Sequence, residues 1–313
     1  MSRSAPSGRL VALLMSSLSA TTQDRYARAL DDLTSELGLR MISWSRLSHD
    51  DQDLFLAEWF AEMASDPDAS PHPYVIMIAA LHKTDPRLRF RLALKALEAW
   101  KSRMPIKHAP AMPKQLAWAL ATMALGCGFE PFACVLLLCF VGLLRVGEAL
   151  ALLADDLIFT SNRLVLHLRT TKRGRNEKVV IDDPLVIGIL HVWWSKFDGF
   201  AVDPLFGLTY AGVARTLGKL CAFLQLSGHG FTTHSWRRGG ASHLLSEGMR
   251  LEDICLHGRW ASQKSAKLYI RQGELFVQKF RAECEAGTWN RVLVLARCLG
   301  KLYLGSCAGI CGR

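Results

Sequence analysis

The sequence predicts a mainly α-helical protein with one small β-sheet. Apolar residues recur at helical spacing through the first hundred residues, and two strongly apolar runs of helix length follow a proline-rich break. A single stretch near residues 163–181 alternates between apolar and polar residues, as strands do. Half of the 313 residues are hydrophobic and 21% are charged, which excludes a disordered chain.

The N-terminal region predicts a bundle of helices. The first helix has Thr22 as its cap and Gly38 as its stop, and further helices are expected over residues 48–64, 74–81 and 86–103, the last with Pro86 in its first turn. Leu54 is expected among the core-facing residues of the second helix. In the first helix, apolar residues recur at steps of four, three and four, at Tyr26, Leu30, Leu33 and Leu37.

The region that follows is predicted to contain mostly helices and one hairpin. Strands are expected over residues 163–168 and 177–181, and the basic segment 169–176 with its glycine is expected at the hairpin tip. Helices are expected over residues 114–125, 131–144, 184–196, 210–226 and 233–247.

Five segments follow from these patterns. They are an N-terminal arm (1–19), a helical domain (20–103), a linker with three prolines (104–113), a second domain (114–286) and a C-terminal tail without a recognisable motif (287–313). The first 23 residues carry two arginines and no acid. They fit either an untethered arm or a weak signal or transit peptide.

Charge is distributed unevenly along the chain. The formal net charge is +10 and the pI is about 9.3, which favours a polyanionic partner. Residues 20–85 hold five basic and twelve acidic residues, whereas residues 86–107 hold seven basic residues and one acid. This basic segment predicts either a phosphate-facing element or a solvated helix face. The candidate phosphate-contacting residues of this segment are Arg87, Arg89, Arg91 and Lys95.

Several classes of protein are excluded or disfavoured. The two strongly apolar uncharged runs, residues 116–129 and 131–144, are 14 residues each, too short to span a bilayer, so no membrane association is expected. The nine cysteines form no CxxC pair, which argues against a zinc ribbon, and several lie in apolar runs, as reduced buried thiols do. Neither a phosphate-binding glycine loop nor the acidic cluster of two-metal nucleases is present, so no metal and no cofactor are expected.

Charged residues that interrupt apolar patterns are the candidate site residues. Arg145 ends a nearly apolar helix and needs an anionic partner, which is either a ligand or Glu148 one helical turn away. His234 and Arg237 share one helix face, so an imidazole and a guanidinium could hold one phosphate. The alternative is a capping histidine beside a surface arginine.

Two further candidates are Lys172 and Tyr269. Lys172 lies with Arg173 and Arg175 in the basic hairpin, where it could deliver a proton or only contact a phosphate backbone. The phenol of Tyr269, with an ordinary pKa of about 10, becomes a competent nucleophile only if concentrated positive charge stabilises its phenolate. Otherwise it is a packed tyrosine.

The order and spacing of these residues favour the functional interpretations over the structural ones. Trp260 follows His234 by 26 residues and precedes Tyr269 by nine. The series resembles the catalytic set of the tyrosine recombinases, or phage integrase family: an arginine in an R-x-x-E context, a hairpin lysine, H-x-x-R, a His or Trp, and the tyrosine. The motifs cover residues 108–280, and the runs His-Ser-Trp-Arg-Arg-Gly-Gly-Ala and Gly-Arg-Trp look most like eukaryotic DIRS-like and Crypton elements. His257 could serve in place of Trp260 if its loop shifted.

The resemblance implies a fold and a reaction. Residues 20–103 would form the core-binding domain and residues 114–286 the catalytic domain with its trailing helix, which often docks into a neighbouring subunit. Tyr269 would attack the scissile phosphate and leave a 3′-phosphotyrosyl link. Arg145 and Arg237 would hold the phosphate, Lys172 would protonate the leaving oxygen, and His234, Trp260 and Glu148 would assist.

The implied partner is double-stranded DNA, bound by a homotetramer on paired sites and by a monomer or dimer off DNA. The protein would recombine DNA at a specific site as part of a mobile element, in the nucleus of a eukaryote or in the cytoplasm otherwise. Two alternatives stay open: a catalytically silent DNA-binding descendant of the family, and DNA relaxation of the type IB topoisomerase kind.

Overall fold

The computed structural model describes residues 7–104, 109–170, 175–200, 202–260 and 263–308, with backbone only at residues 170, 175, 264–265, 268–269 and 302–308. The chain divides into two compact units, Met1–Lys107 and His108–Arg313. The described residues are mainly helical with one three-stranded sheet, as predicted. Residues 105–108 of the expected linker lie outside the described residues.

Helices make up the first unit. In the described residues they are α1 (Gly8–Ser16), α2 (Ala20–Leu39), α3 (His49–Met63), α4 (His72–Thr84) and α5 (Arg91–Arg103). Helix α3 packs on α5 and α2 packs on α4. The fully buried side chains of Leu56, Phe60 and Phe90 lie between them, so burial of large apolar groups holds this unit together.

Local capping explains where α2 and α3 begin. The hydroxyl of Ser48 accepts the backbone N–H of Asp51 at 3.1 Å, close to the predicted start of α3. In α2 the cap is Ser19, which accepts the N–H of Thr22 at 3.4 Å, so the prediction of Thr22 as the cap is wrong. The helix also continues past Gly38 by one residue.

Two other expectations for this unit are wrong. Residues 8–16, expected in an untethered arm, form α1 and pack against α4, and Lys83 Nζ donates to Ser17 Oγ at 3.1 Å. Leu54 is exposed on the outer face of α3, two residues before the buried Leu56.

Helix α5 begins at Arg91 and not at Pro86. Asp85 accepts the backbone N–H of Arg87 at 3.1 Å and also pairs with its guanidinium, which fixes a turn where a helix was expected. The buried carboxylate of Asp53 in α3 then accepts the N–H groups of Leu92 and Ala93, both at 2.9 Å. A side chain from another helix therefore sets the start of α5.

The second unit combines helices with one sheet. Its described helices are α6 (Lys114–Gly126), α7 (Glu130–Val141), α8 (Val146–Leu150), α9 (Pro184–Ser195), α10 (Tyr210–Phe223), α11 (Thr233–Ser246), α12 (Leu251–His257), α13 (Gln263–Glu283) and α14 (Ala286–Ala308). Helix α7 is buried on all sides, against α6, α9 and α11. None of the helices in the described ranges is long and apolar enough to cross a bilayer.

Strands β1 (Leu157–Phe159), β2 (Leu164–Thr170) and β3 (Arg175–Ile181) pair in that order, all antiparallel. Leu164 lies opposite Ile181 and Leu168 opposite Glu177, which fixes the register of the hairpin. The three-residue strand β1 was not predicted, because it is too short to show alternation.

The C-terminal segment is helical and packs on its own unit. Val292 and Leu299 of α14 are buried against α6, and the hydroxyl of Thr122 in α6 donates to the carbonyl of Leu295 at 2.9 Å. The trailing helix expected at the end of the 114–286 segment is the last part of α13, and its Phe280 is buried in the core of the same unit.

Candidate active site

Arg145 begins a helix and does not end one. The apolar helix α7 stops at Val141, and Leu143 takes a left-handed conformation (φ 47°) that breaks the chain direction. Arg145 then caps α8: its backbone N–H donates to Glu148 Oε2 at 2.8 Å, and its Nη1 donates to Glu148 Oε1 at 2.5 Å. The expected pair exists, but at the first turn of α8 and not at the end of α7.

Arg237 projects from α11 into the turn that follows α7. Its side chain is 7% exposed, its Nη1 donates to the carbonyl of Leu143 at 2.5 Å, and its Nη2 donates to the carbonyl of Gly258. The same Nη1 lies 4.0 Å from the carboxylate of Glu148. The arginines at 145 and 237 therefore share one carboxylate, although 92 residues separate them in the sequence.

Two glycines allow α11 to lie this close to its neighbours. A Cβ on Gly240 would stand 1.9 Å from the carbonyl oxygen of Phe140 in α7, and a Cβ on Gly239 would stand 2.0 Å from that of Met112. Because only glycine fits at both positions, the run Arg-Arg-Gly-Gly places Arg237 against the Leu143 turn. The neighbouring Arg238 is also buried, and its Nη1 donates to the carbonyl of Ala109 at 2.8 Å.

Trp260 covers the buried guanidinium. Its ring centroid is 4.5 Å from Arg237 Cζ, which is cation–π geometry. His257, the alternative to Trp260, lies elsewhere: its Nε2 is 2.9 Å from the carbonyl of Val141. The structure therefore places the Trp260 ring against the arginine and the His257 ring against the end of α7.

His234 occupies the first turn of α11 and is exposed. Arg237, one turn later, is buried, so the helix presents an accessible imidazole on the solvent side of an enclosed guanidinium. Beside it, Thr233 Oγ1 donates to the hydroxyl of Tyr210 at 3.2 Å. This edge of the site is therefore open and rich in hydrogen-bonding groups.

Arg259 was not among the predicted residues. Its Nη2 lies 2.6 Å from Glu148 Oε2, its Nε lies 3.4 Å from Glu177 Oε2, and burial lowers the pKa of its guanidinium. The one sequence signal was its position between Gly258 and Trp260, where an arginine would be enclosed if the tryptophan packed. Three guanidinium groups and two carboxylates thus leave a net positive site that can receive an anionic oxygen.

The structure describes the remaining predicted residues only in part. Lys172 and Arg173 lie outside the described residues, and Arg175 and Tyr269 are described by backbone alone. Tyr269 lies within α13, and its neighbours Ala266 and Ile270 are buried in one cluster with Leu143. The helix carrying Tyr269 therefore shares a buried apolar cluster with the turn that binds Arg237.

The predicted DNA-binding residues of the first unit, Arg87, Arg89, Arg91 and Lys95, are all exposed, at the turn before α5 and in its first residues. Arg87 pairs with Asp85, and Arg89 Nη1 donates to the carbonyl of Pro86 at 2.6 Å. Among the residues with described side chains, no group of three His, Cys, Asp or Glu side chains could hold a metal ion.

Comparison with known proteins identifies the fold. No protein-family model and no curated protein match the chain. Among solved structures, this chain is similar to the XerH site-specific recombinase in a post-cleavage complex with palindromic difH substrate, with a TM-score of 0.60 at 15% identity. The match covers 83% of this chain and 79% of the XerH chain. The Tn1549 transposon integrase in complex with circular intermediate DNA gives a TM-score of 0.57 at 17% identity, covering 83% and 94%.

The fold of this chain is therefore similar to that of the tyrosine recombinases of known structure, as the sequence predicted. At these identities the likeness is one of fold, and the chemistry has to be argued from the site itself.

Proposed function

We propose that the protein is a site-specific recombinase that breaks and rejoins double-stranded DNA through a 3′-phosphotyrosyl intermediate. The observation that carries this proposal is the convergence of Arg145 and Arg237 on Glu148, within the fold of the tyrosine recombinases. Two fixed guanidinium groups beside one carboxylate suit an oxyanion whose charge grows in a transition state.

Each residue of the set has a defined task. The phenolate oxygen of Tyr269 attacks phosphorus, forming the phosphotyrosyl bond as the bond from phosphorus to the 5′-oxygen breaks. Lys172 supplies the proton that the leaving 5′-oxygen takes. The two arginines hold the non-bridging oxygens, and His234, exposed at the edge of the site, donates to the phosphate or receives the phenol proton.

Rejoining reverses these steps with the 5′-hydroxyl of another strand, which releases Tyr269. Because the phosphodiester energy is retained in the phosphotyrosyl bond, exchange needs no nucleotide. The exposed arginines at the start of α5 and the hairpin residues Arg173 and Arg175 would contact the DNA backbone. We further propose a tetramer on paired sites and an origin in a mobile element, of the eukaryotic DIRS-like or Crypton-like kind that the runs around Arg237 and Trp260 favour.

Covalent capture of DNA tests the proposal without a known target. Wild type, Tyr269→Phe and Tyr26→Phe are expressed, cells are lysed in strong detergent, and DNA bound covalently to protein is sequenced. Tyr26 is the control, a half-buried tyrosine in α2 of the first unit. Attachment in wild type and Tyr26→Phe but not in Tyr269→Phe is the expected result, and the recovered sequence gives the site.

The other results separate the alternatives. Attachment that survives in Tyr269→Phe would show that another residue is the nucleophile. No attachment, with salt-dependent DNA binding retained, would favour a silent DNA-binding descendant. Relaxation of supercoiled plasmid without sequence preference would favour topoisomerase activity.

A further inference from the structure

Arg259 is a buried arginine that the proposed reaction does not use. Its side chain is 8% exposed and lies between two carboxylates, Glu148 at 2.6 Å and Glu177 at 3.4 Å. A guanidinium removed from water loses hydration, and a site tolerates it only where carboxylates replace that hydration. The two contacts therefore fix where this side chain can lie.

The backbone at Arg259 is held in an unusual conformation. Its φ is 56°, in the left-handed region, which crowds the Cβ of any residue other than glycine. The residues on either side, Gly258 and Trp260, both contact Arg237, one through its carbonyl and one through its ring. The left-handed turn thus brings both neighbours onto Arg237 while Arg259 points to Glu148.

The second carboxylate connects Arg259 to the hairpin. Glu177 lies in β3, opposite Leu168 of β2, and the segment between the strands carries Lys172. Glu148 holds both the backbone N–H and the guanidinium of Arg145. One guanidinium therefore links Glu148, which orients Arg145, to the third residue of β3 in the lysine-bearing hairpin.

We infer that Arg259 is a positioning residue that fixes the lysine-bearing hairpin relative to the arginine pair by joining Glu177 to Glu148. This inference rests on the proposed function. The chemistry requires proton delivery and oxyanion binding at the same phosphate, and small displacements of such groups cost rate steeply. This positioning role requires the forked guanidinium group, because one side chain has to reach two carboxylates.

The test compares Arg259→Gly, Arg259→Lys and the control Arg250→Ala. Glycine accepts the left-handed backbone, so Arg259→Gly removes the side chain without straining the fold. Arg250 is an arginine with an exposed side chain (79%) that pairs with Asp253. Single-turnover attachment to the DNA sequence captured by wild type is measured together with DNA affinity.

In Arg259→Gly, attachment is expected to slow about 100-fold, with DNA affinity within about threefold of wild type. Arg259→Lys is expected to recover part of the rate, and Arg250→Ala to match wild type. Attachment by Arg259→Gly at the wild-type rate would overturn the inference. So would a parallel loss of rate and affinity, because that result indicates a merely structural residue.

Hydrogen exchange provides a readout that does not depend on catalysis. Amides of β3 in Arg259→Gly are expected to exchange roughly tenfold faster than in wild type, with Arg259→Lys intermediate and α3 of the first unit unchanged. If wild type attaches no DNA, the proposed function fails and this measurement alone decides the inference. Unchanged exchange in β3 would then refute the link between Arg259 and the hairpin.

Discussion

The indole ring of Trp260 lies over the guanidinium of Arg237, with Cζ 4.5 Å from the ring centroid. The tryptophan packs in turn on Gly258, where a Cβ would stand 1.8 Å from the ring, and the carbonyl of Gly258 accepts from Arg237 Nη2. Arg237 is thus held from two sides by one three-residue loop. A face-on aromatic contact is worth about 0.5–2 kcal/mol, depending on burial.

The contact predicts that an aromatic face, more than the indole N–H, is required at position 260. Trp260→Phe keeps a face over Arg237 and is expected to retain covalent DNA attachment within about fivefold of wild type, whereas Trp260→Ala loses about 10- to 100-fold. Single-turnover attachment to captured DNA measures both. Equal losses in the two variants would instead show that the N–H donates to the phosphate.

Glu148 predicts a coupling between stability and anion binding. Its buried carboxylate faces Arg145, Arg259 and Arg237, so Glu148→Gln leaves three guanidinium groups with less compensation. Breaking such a buried pair costs about 3–5 kcal/mol. A lower melting temperature is expected by thermal unfolding, with a larger rise on adding DNA than wild type shows, because phosphates replace the lost charge.

The control for this measurement is Glu98→Gln, a change at an exposed position of α5. It is expected to shift the melting temperature by little, in line with other surface substitutions. If Glu148→Gln has the same melting temperature as wild type both with and without DNA, the carboxylate does not balance the charge of the arginines.

The close contact at Gly240 predicts that any larger residue at this position destabilises the protein. Gly240→Ala would place a methyl group 1.9 Å from the carbonyl oxygen of Phe140, so α11 has to move away from α7. A loss of at least about 1–3 kcal/mol is expected, as for other overpacked sites. Gly218→Ala, in α10 with nothing within 4 Å of the added Cβ, is expected to stabilise the protein by about 0.5–1 kcal/mol. Urea unfolding of both variants tests this contrast, and a stable Gly240→Ala would contradict it.

The sequence predicted what local chemistry controls. Ser48 starts α3 because its own hydroxyl caps the helix, so its residue type was enough. The start of α5 was missed because the carboxylate that caps it belongs to Asp53, about forty residues earlier. Capping by a distant side chain leaves no pattern in the segment that is capped.

The candidate site likewise combines features that neighbouring residues determine with features that distant residues determine. The sequence spacing offered Glu148 as one of two possible partners for Arg145, and the two residues pair at the start of α8 and not along a continuous helix. Arg259 was missed because its partners come from α8 and β3, and a left-handed arginine has no periodic signature. The role of Tyr269 as nucleophile and the roles of Lys172 and His234 stay predictions.

His243 predicts that the second unit loses stability in mild acid. It lies in α11 with its ring facing Phe140, and burial, together with the nearby Lys114, lowers its pKa, while Glu247 raises it. A histidine in the unfolded chain has a pKa of about 6.5, so below that pH the unfolded chain binds a proton that the folded chain does not. The stability that neutral His243 confers is therefore present above about pH 6.5 and is lost as the pH falls towards the lower folded pKa.

Thermal unfolding at about pH 7.5 and pH 5.5 measures this loss. The melting temperature of His243→Gln is expected to fall less in acid than that of wild type. The control His191→Gln, at an exposed position of α9, should show the same fall as wild type. An unchanged drop in His243→Gln would assign the acid sensitivity to other groups.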